Sequence, residues 1–369
     1  MGKVNQNKPN FFQVKADLPQ DTDIIEAYDS SVEEYYYICH PTIKKGSITD
    51  KSKLIKELKI EDIWIYYPWQ KKAIHTVNEK VYYNLRTARN RNIITEKEQE
   101  NYRNLKIGIV GLSVGSNALS ALVYTGGPKF IRIADFDTIE ISNLNRIKGT
   151  LLNIGENKAI VAARNTWEVD PFAQIDIWEE GVSVDTLEKF ISKDKIDLFV
   201  DTMDNLYLKV QARLLCKKYR IPVLMITENG DSTILDIERY DTEHVPIFQG
   251  KISEKDIKNA AQFNQQQWLS LALKIIDPTY LTEEMQDSIL SVGKSIAGVP
   301  QIATSVNIGG STLAYAVRKI ANKSELSSGR YIISLEDKLI PGYLSKKEMS
   351  RRAVKTKKLK EKFGLQYPR

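Results

Sequence analysis

The sequence predicts an α/β chain organised around a doubly wound, mostly parallel sheet, and three observations carry that prediction. Ile107, Ile109 and Val110 form a short apolar run that breaks at Gly111, the pattern of a buried strand entering a tight turn. Ser116 to Tyr124 then reads as a helix closed by Gly126 and Gly127. A second apolar run, Phe130 to Ala134, ends in Asp135 and Asp137. Strand, helix and strand in that order outline a Rossmann-like nucleotide-binding unit. In such a unit phosphate rests on backbone N–H groups at the helix start, and an acid at the second strand's end meets a ribose hydroxyl. Asp135 follows Gly115 at the spacing this requires.

Residues 1–83 form an N-terminal accessory region. The stretch VEEYYYICHP at 32–41 reads as a strand, and residues 54–85 read as mixed short elements rich in Tyr and Trp. His40 beside Cys39, with His75 the nearest other histidine, is better read as core or surface than as a metal or nucleophile site. Trp64, Tyr66, Tyr67 and Trp69 are expected to pack against the next domain rather than to bind a peptide or a base.

Residues 84–345 carry the main domain. Before its first strand, Thr95 and Glu98 have the spacing of a helix-starting capping box. After the β-α-β unit, ENKAIVAARNTWEVDP has helical spacing and stops at Pro171, which puts Lys158 in a first turn facing the sheet edge where ligands bind. Ile175–Trp178 reads as a strand, VDTLEKFIS as a helix, and Ile196–Val200 as a strand ending in Asp201 and Asp204. Helix and strand follow over 206–227, with Cys216 as a buried structural thiol. Residues 228–250 read as a loop, 253–276 and 281–293 as two amphipathic helices, 299–321 as a helix returning to the core, and 330–337 as a strand.

Residues 346–369 change character. From Ser345 onward the chain holds ten basic and two acidic residues, a net +8 against a whole-chain +6. A solvated, partly helical tail is preferred over an RNA contact. At 369 residues, 42% apolar and 27% charged, the composition is ordinary for a soluble chain with sizeable cores. No apolar run reaches a membrane span, MGKVNQNKPN lacks a signal-peptide core, and Gln6 stands where myristoylation requires Ser or Thr. A cytoplasmic location without membrane contact is expected. Two cysteines exclude a four-cysteine zinc site, so no zinc is expected, nor a disulfide framework.

The chemistry is written mainly after the second strand. The glycine pattern is incomplete, because Ser113 and Ser116 stand where a GxGxxG fingerprint has glycine. Ser142, Asn143, Asn145 and Arg146 follow Asp137 closely, and Lys158 comes twelve residues later. Hydride transfer has no use for such a row of amides and cations. Polyphosphate does, because charge moving onto phosphate oxygens is met by fixed donors and cations. An acid beyond a parallel strand's carboxyl end is well placed for Mg2+, and Asp204 suits that role better than Asp201, which reads as a cap or turn residue.

At these residues the chain resembles a known family. GLSVGSNALSALVYTGG, DFDTIEISNLNR, GENKA, the Asp170-Pro171 pair and VDTMDN resemble, in order, the ThiF/MoeB/HesA-like adenylating enzymes, relatives of the ubiquitin-activating enzymes, over roughly residues 84–335. The resemblance implies ATP and Mg2+ as cofactors and adenylation of a carboxylate with release of pyrophosphate. The expected substrate is the C-terminus of a ubiquitin-like protein or peptide. By motif, Asp135 holds the ribose, Asn143, Arg146 and Lys158 the phosphates, and Asp204 the metal, with Arg146, Lys158 and Asp204 as the catalytic set. Gly111, Ser113, Gly115, Asp137 and Ser142 join the nucleotide contacts. An arginine from the lead-in helix reaches across a homodimer to the other protomer's ATP; Arg89 is chosen, with Arg86 and Arg91 as alternatives, and Leu85 departs from the family's Tyr-Asn-Arg pattern. Two further departures are the missing paired CxxC motifs and the lack of any cysteine over 228–250. The second implies that no covalent thioester step is needed on this chain. The acceptor pocket is expected from residues 228–250 and the N-terminal region. Three alternatives stay open: an NAD-dependent oxidoreductase, a catalytically silent modifier-binding protein, and adenylation of a tRNA-borne carboxylate.

Overall fold

The computed structural model describes residues 5–259 and 262–365. In the accessory region β1 (Asn10–Phe12), β2 (Asp23–Glu26), β3 (Asp62–Tyr67) and β4 (Lys72–Val77) form a sheet of order β1-β3-β4-β2, accompanied by α1 (Tyr28–Cys39) and α2 (Lys51–Leu58). The segment read as a strand at 32–41 is therefore mostly helix. Its aromatic richness suggested a strand, but Tyr28, Val32, Tyr35 and Tyr36 fall on one helical face and pack together against α2. The aromatic cluster divides. Trp64 and Tyr66 fill the small sheet's own core, whereas Tyr67 and Trp69 pack against the large domain, where Trp69 Nε1 donates to Glu168 at 2.6 Å.

α3 (Glu79–Arg86) and α4 (Glu96–Asn104) lead into the main domain, and the Thr95–Glu98 capping box is present at the start of α4. There follow β5 (Lys106–Val110), α5 (Gly115–Tyr124), β6 (Phe130–Ala134), α6 (Lys158–Val169), β7 (Gln174–Trp178), α7 (Val184–Ser192), β8 (Leu198–Asp201), α8 (Leu206–Tyr219), β9 (Val223–Asn229) and β10 (Ser232–Glu238). The chain ends with α9 (Glu254–Asn259), α10 (Gln265–Ile276), α11 (Glu283–Ser291), α12 (Ala303–Ala321), β11 (Gly329–Ile333), α13 (Glu336–Leu339) and α14 (Lys346–Lys362). The large sheet has the order β11-β10-β9-β8-β5-β6-β7. β9, β8, β5, β6 and β7 run parallel, while β10 is antiparallel to both β9 and β11.

This is the predicted doubly wound fold. The chain winds outward from β5 to β7, then returns to β8 on the other side of β5, so the order reverses between β5 and β8. Ligands of such sheets bind at that reversal, beyond the carboxyl ends of the strands. α5, α6 and α12 cover one face and α7, α8 and α10 the other. α12 lies close against α5 because Gly310 has no side chain; a Cβ there would come 2.8 Å from the backbone carbonyl of Asn117.

Three readings are corrected here. Residues 228–250 are not one loop: β10 occupies 232–238, entirely buried in the sheet, after a two-residue turn at Gly230-Asp231, with glycine at the first central position as hairpin turns favour. The helix read over 253–276 is two helices, and residues 260 and 261 within that span lie outside the described residues. The basic tail is not free in solvent. α14 docks on α11, burying Thr356 and Leu359, and its cations pair with acids: Arg351 with Glu283 (2.5 Å), Lys355 with Asp287 (2.6 Å) and Lys360 with Asp277 (3.1 Å). Charge complementarity with an acidic neighbour replaces the apolar stripe that a sequence reading would look for.

Candidate functional site

The turn after β5 forms one wall of the site. Gly111 has φ +89°, and a Cβ there would meet the Thr202 carbonyl at 2.3 Å; at Gly115 it would meet Thr202 Oγ1 at 2.8 Å. Both glycines let the β5 and β8 loops cross at close range, which is how the reversal point stays open above the backbone. Thr202 Oγ1 donates to the Gly111 carbonyl (2.6 Å) and locks the crossing. Ser113 Oγ is buried here without a hydrogen-bond partner among the described residues. A polar group left so at a helix start is suited to an anion.

Asp135, at the end of β6, is buried and accepts from the N–H groups of Leu112 (2.6 Å) and Asp137 (2.9 Å). A carboxylate has about four acceptor positions, so hydroxyl donors can still be met. Burial raises its pKa, while those N–H donors and Lys158 oppose the rise. Lys158 is the first residue of α6, capped by Asn157, and its buried ammonium pairs with Asp137 at 2.8 Å. Asp137 thus acts as the partner that orients Lys158. Asn143 is also buried, but its Oδ1 accepts from the Glu140 N–H at 3.1 Å; Ser142 is exposed beside Glu140.

Arg146 projects from the same loop. Nη1 donates to the Ser142 carbonyl (3.2 Å) and to Asn145 Oδ1 (2.9 Å), and Nε is buried with no partner among the described residues. Asn117 of α5 fixes the loop by donating to the Arg146 carbonyl at 2.7 Å. Desolvation lowers the Arg146 pKa, against the opposing pull of Glu228 and Asp204. These two acids therefore share the guanidinium's surroundings. Asp204 is exposed and has no hydrogen bond or ion pair with a described residue, whereas Asp201 is wholly buried and paired with Lys209 (2.9 Å) and Arg213 (2.5 Å). Asp201 also accepts from the Met203 N–H (3.2 Å), so the turn reading holds and the buried ion pairs are added to it.

Glu228 escaped the sequence reading. It ends an apolar strand, is 9% exposed, and its Oε1 has no partner among the described residues. Burial pushes its carboxyl up to about 7, with Asp204 adding to the rise and Lys209 and Arg146 opposing it. The available signal was an acid at the carboxyl end of a buried strand.

The arginine candidates lie elsewhere. Arg86 donates to the Val123 carbonyl (2.5 Å) and to Asp170 (3.0 Å). Asn90 donates to the Thr125 carbonyl at the far end of α5, so this group stands one helix length, about 15 Å for ten residues, from the Gly111 turn. Arg89 and Arg91 are exposed, and Arg89 makes no hydrogen bond or ion pair to a described residue. The structure thus brings Gly111, Ser113, Gly115, Asp135, Asp137, Lys158, Arg146 and Asp204 to the carboxyl edge and leaves the arginine trio at the amino edge. Among the described residues no group of three or more His, Cys, Asp or Glu is placed to hold a metal, and none of the described helices is long and apolar enough to cross a membrane.

A model of the ThiF family matches residues 87–324. The chain is 35% identical over 268 residues to an uncharacterised protein of Mycobacterium tuberculosis (strain CDC 1551 / Oshkosh), covering 72% of this chain and 37% of that relative's length. It is 24% identical over 184 residues to a tRNA threonylcarbamoyladenosine dehydratase of Bacillus subtilis (strain 168), covering 47% of this chain and 72% of the relative. Among solved structures, E. coli MccB with ATP is similar at 16% identity and TM-score 0.47, with 83% of each chain covered.

Proposed function

The chain belongs to the ThiF family, and on that premise we propose that it is an ATP-dependent adenylyltransferase that activates a carboxylate, of a ubiquitin-like protein or peptide, as an acyl-adenylate. The observation that carries the reading is the unsatisfied polar cluster at the strand reversal. Ser113 Oγ and Arg146 Nε are buried without partners among the described residues, and the Asp204 carboxylate, also without one there, lies within electrostatic reach of Arg146. Unpaired buried donors cost about 1 to 3 kcal/mol each, so a site that keeps them is matched to a ligand that satisfies them. A polyphosphate does so, and the Asp135 carboxylate retains acceptor capacity for a ribose.

In this reading the substrate carboxylate, ionised at neutral pH, attacks the α-phosphorus of ATP; a new P–O bond forms, the bond to the bridging oxygen breaks, and pyrophosphate leaves with the electron pair. No general base is required. Arg146 and Lys158 meet the charge that develops on the phosphate oxygens, and Asp137 holds Lys158 in position. The residues fit Mg2+ in a limited way. Asp204 supplies one unpaired carboxylate, and Mg2+ is commonly held by one or two carboxylates completed by substrate phosphates. When bound, the ion neutralises phosphate charge. No cysteine occurs over 228–250, so this reading needs no covalent thioester step in that stretch. Arg89, exposed at the amino edge, would serve a nucleotide on another protomer, so a homodimer belongs to this reading.

The test is a pair of measurements. ATP raises the melting temperature and NAD at equal concentration does not, by mass action on the folded state. Pyrophosphate then exchanges into ATP when fractions of cell extract supply the carboxylate. A larger shift with NAD would reverse the reading in favour of a dehydrogenase.

A further inference from the structure

Asn145 stands in the row of amides and cations after Asp137, and the adenylation reading gives it no role. Its side chain nevertheless joins two parts of the carboxyl edge. Oδ1 accepts from Arg146 Nη1 at 2.9 Å, and Nδ2 donates to the Gln301 carbonyl at 2.7 Å. Only this orientation of the amide serves both neighbours, because the reverse one sets its N–H groups against the guanidinium and its oxygen against a carbonyl. The loop's main chain does not depend on it. The N–H groups of Arg146 and Ile147 donate to the Asn143 carbonyl (3.0 and 2.9 Å), and the Arg146 carbonyl accepts from Asn117 (2.7 Å). What Asn145 adds is a hold on the arginine's side chain. With the Ser142 carbonyl (3.2 Å) it takes both hydrogens of Nη1, which fixes the plane of the guanidinium and the direction of its other hydrogens.

Gln301 lies near the end of the segment that joins α11 to α12. Among the described residues, Ala297 to Pro300 make no hydrogen bond, Gly298 has open space around it, and Val299 and Ile302 are 54% and 37% exposed. The segment is fastened at Gln301, by its carbonyl to Asn145 and by its Nε2 to Glu228 Oε2 at a long 3.4 Å. Glu228 lies at the end of β9 and shares the electrostatic surroundings of Arg146 and Asp204. Gln301 thus bridges the Arg146 loop and the end of β9.

We propose that Asn145 is a positioning residue that couples Arg146 to residues 297–302, so that an anion engaging the guanidinium draws this strap in and a displaced strap turns the guanidinium away. The proposal deepens the adenylation reading and rests on it for the identity of the anion, ATP or its pyrophosphate. A ligand shifts such an equilibrium only through a difference in affinity for the two positions. The Asn145 bridge supplies that difference, because guanidinium and strap share one amide.

The test uses the full chain with Cys39→Ser, which leaves only the buried Cys216, and Val299→Cys carrying a small fluorophore on the strap. Fluorophore anisotropy is followed as inorganic pyrophosphate with Mg2+, and separately ATP with Mg2+, is added to this labelled parent and to its Asn145 variants. The melting temperature shows that each ligand has bound. Both ligands should raise the anisotropy of the parent. In Asn145→Ala the starting value should be lower and the rise lost. Asn145→Asp keeps an acceptor for Arg146 but cannot donate to the Gln301 carbonyl, so it should lose the rise as well. Asn145 is exposed, so both variants should melt close to the parent. Their kcat in pyrophosphate exchange should fall about threefold to tenfold, the size expected of one net hydrogen bond, with the KM for ATP changing less. An unmoved anisotropy in the parent at saturating ligand overturns the proposal. So does a rise in Asn145→Ala equal to the parent's, or an Asn145→Asp variant that behaves as the parent, which would leave Asn145 serving Arg146 alone. If neither ligand shifts the parent's melting temperature, coupling and adenylation reading fail together. If the strap responds to pyrophosphate and no carboxylate supports exchange, the adenylation reading fails and the coupling stands. If exchange runs and the variants match the parent in anisotropy and kcat, the reverse holds.

Discussion

The two edges of the parallel sheet carry similar residues and treat them oppositely. At the amino edge Arg86 and Arg103 both contact the buried Asp170, and Lys129 and Arg103 reach Glu79 at 2.6 and 3.5 Å. Charge there is consumed in holding α3 and α4 to the core. Among the described residues at the carboxyl edge, Arg146 keeps an unpartnered Nε, Ser113 an unpartnered hydroxyl, and Asp204 has no hydrogen bond or ion pair. Cations in a sequence indicate chemistry only where the fold has left them work to do. Lys158 lies between these cases: it is paired with Asp137, yet that acid's side chain is 52% exposed and can share it with a ligand.

The sharpest break in this comparison is Asp170→Ala. Removing one carboxylate from two mostly buried guanidinium groups leaves Arg86 without an acid and Arg103 with only the more distant Glu79, and the expected loss of stability is about 3 to 5 kcal/mol. Urea denaturation measures it; a loss below about 1 kcal/mol would mean that the amino edge is not held by these pairs. Arg146→Ala is the converse. Its contacts stay within its own loop, so stability should change little, while pyrophosphate exchange falls about 100-fold or more, as when a fixed donor to developing charge is removed. A variant that unfolds but exchanges normally when folded would invert the two edges.

Glu228→Gln sharpens the comparison through pH. The carboxyl is raised in the folded chain from 4.5 to about 7, so the folded state holds a proton that the unfolded state releases in that window. Its stabilising contribution is complete below pH 4.5 and is lost as pH rises through 7, a change of about 3 kcal/mol. The parent should therefore lose stability relative to Glu228→Gln between pH 4.5 and 7. Parallel pH profiles would show that Glu228 is not buried as described. Truncation at 345 extends the comparison to α14, whose charges are also paired. Loss of the buried Leu359 alone should cost about 1.5 to 3 kcal/mol, and an unchanged urea midpoint would return the tail to solvent.

Much of the main domain was legible because two periodicities and a few punctuating residues specify it. β6 and α7 fall where the apolar runs place them, and Lys158 opens α6 as its position before a helical run requires. The acids at strand ends were visible for the same reason. What failed depended on partners distant in sequence. α1 was mistaken for a strand because three consecutive tyrosines weigh toward β structure until the face shared with Tyr28 and Val32 is considered. α14 has few apolar residues, and its docking depends on acids of α11 about 70 positions away. Glu228 was missed because its significance is burial near Arg146 and Asp204, a juxtaposition made by one strand and two separate loops. The proposed adenylation site and the roles proposed for its residues therefore rest on the motifs and on the unpaired groups together.

The central claim is that the carboxyl edge turns over ATP through charge held by this chain's own residues. The most direct measurement is exchange of labelled pyrophosphate into ATP, by the parent and by Asp204→Ala, with Mg2+ and an activating extract fraction present. Asp204 is exposed and makes no hydrogen bond or ion pair with a described residue, so the variant should keep the parent's melting temperature and lose exchange. Equal exchange by parent and variant would contradict the account.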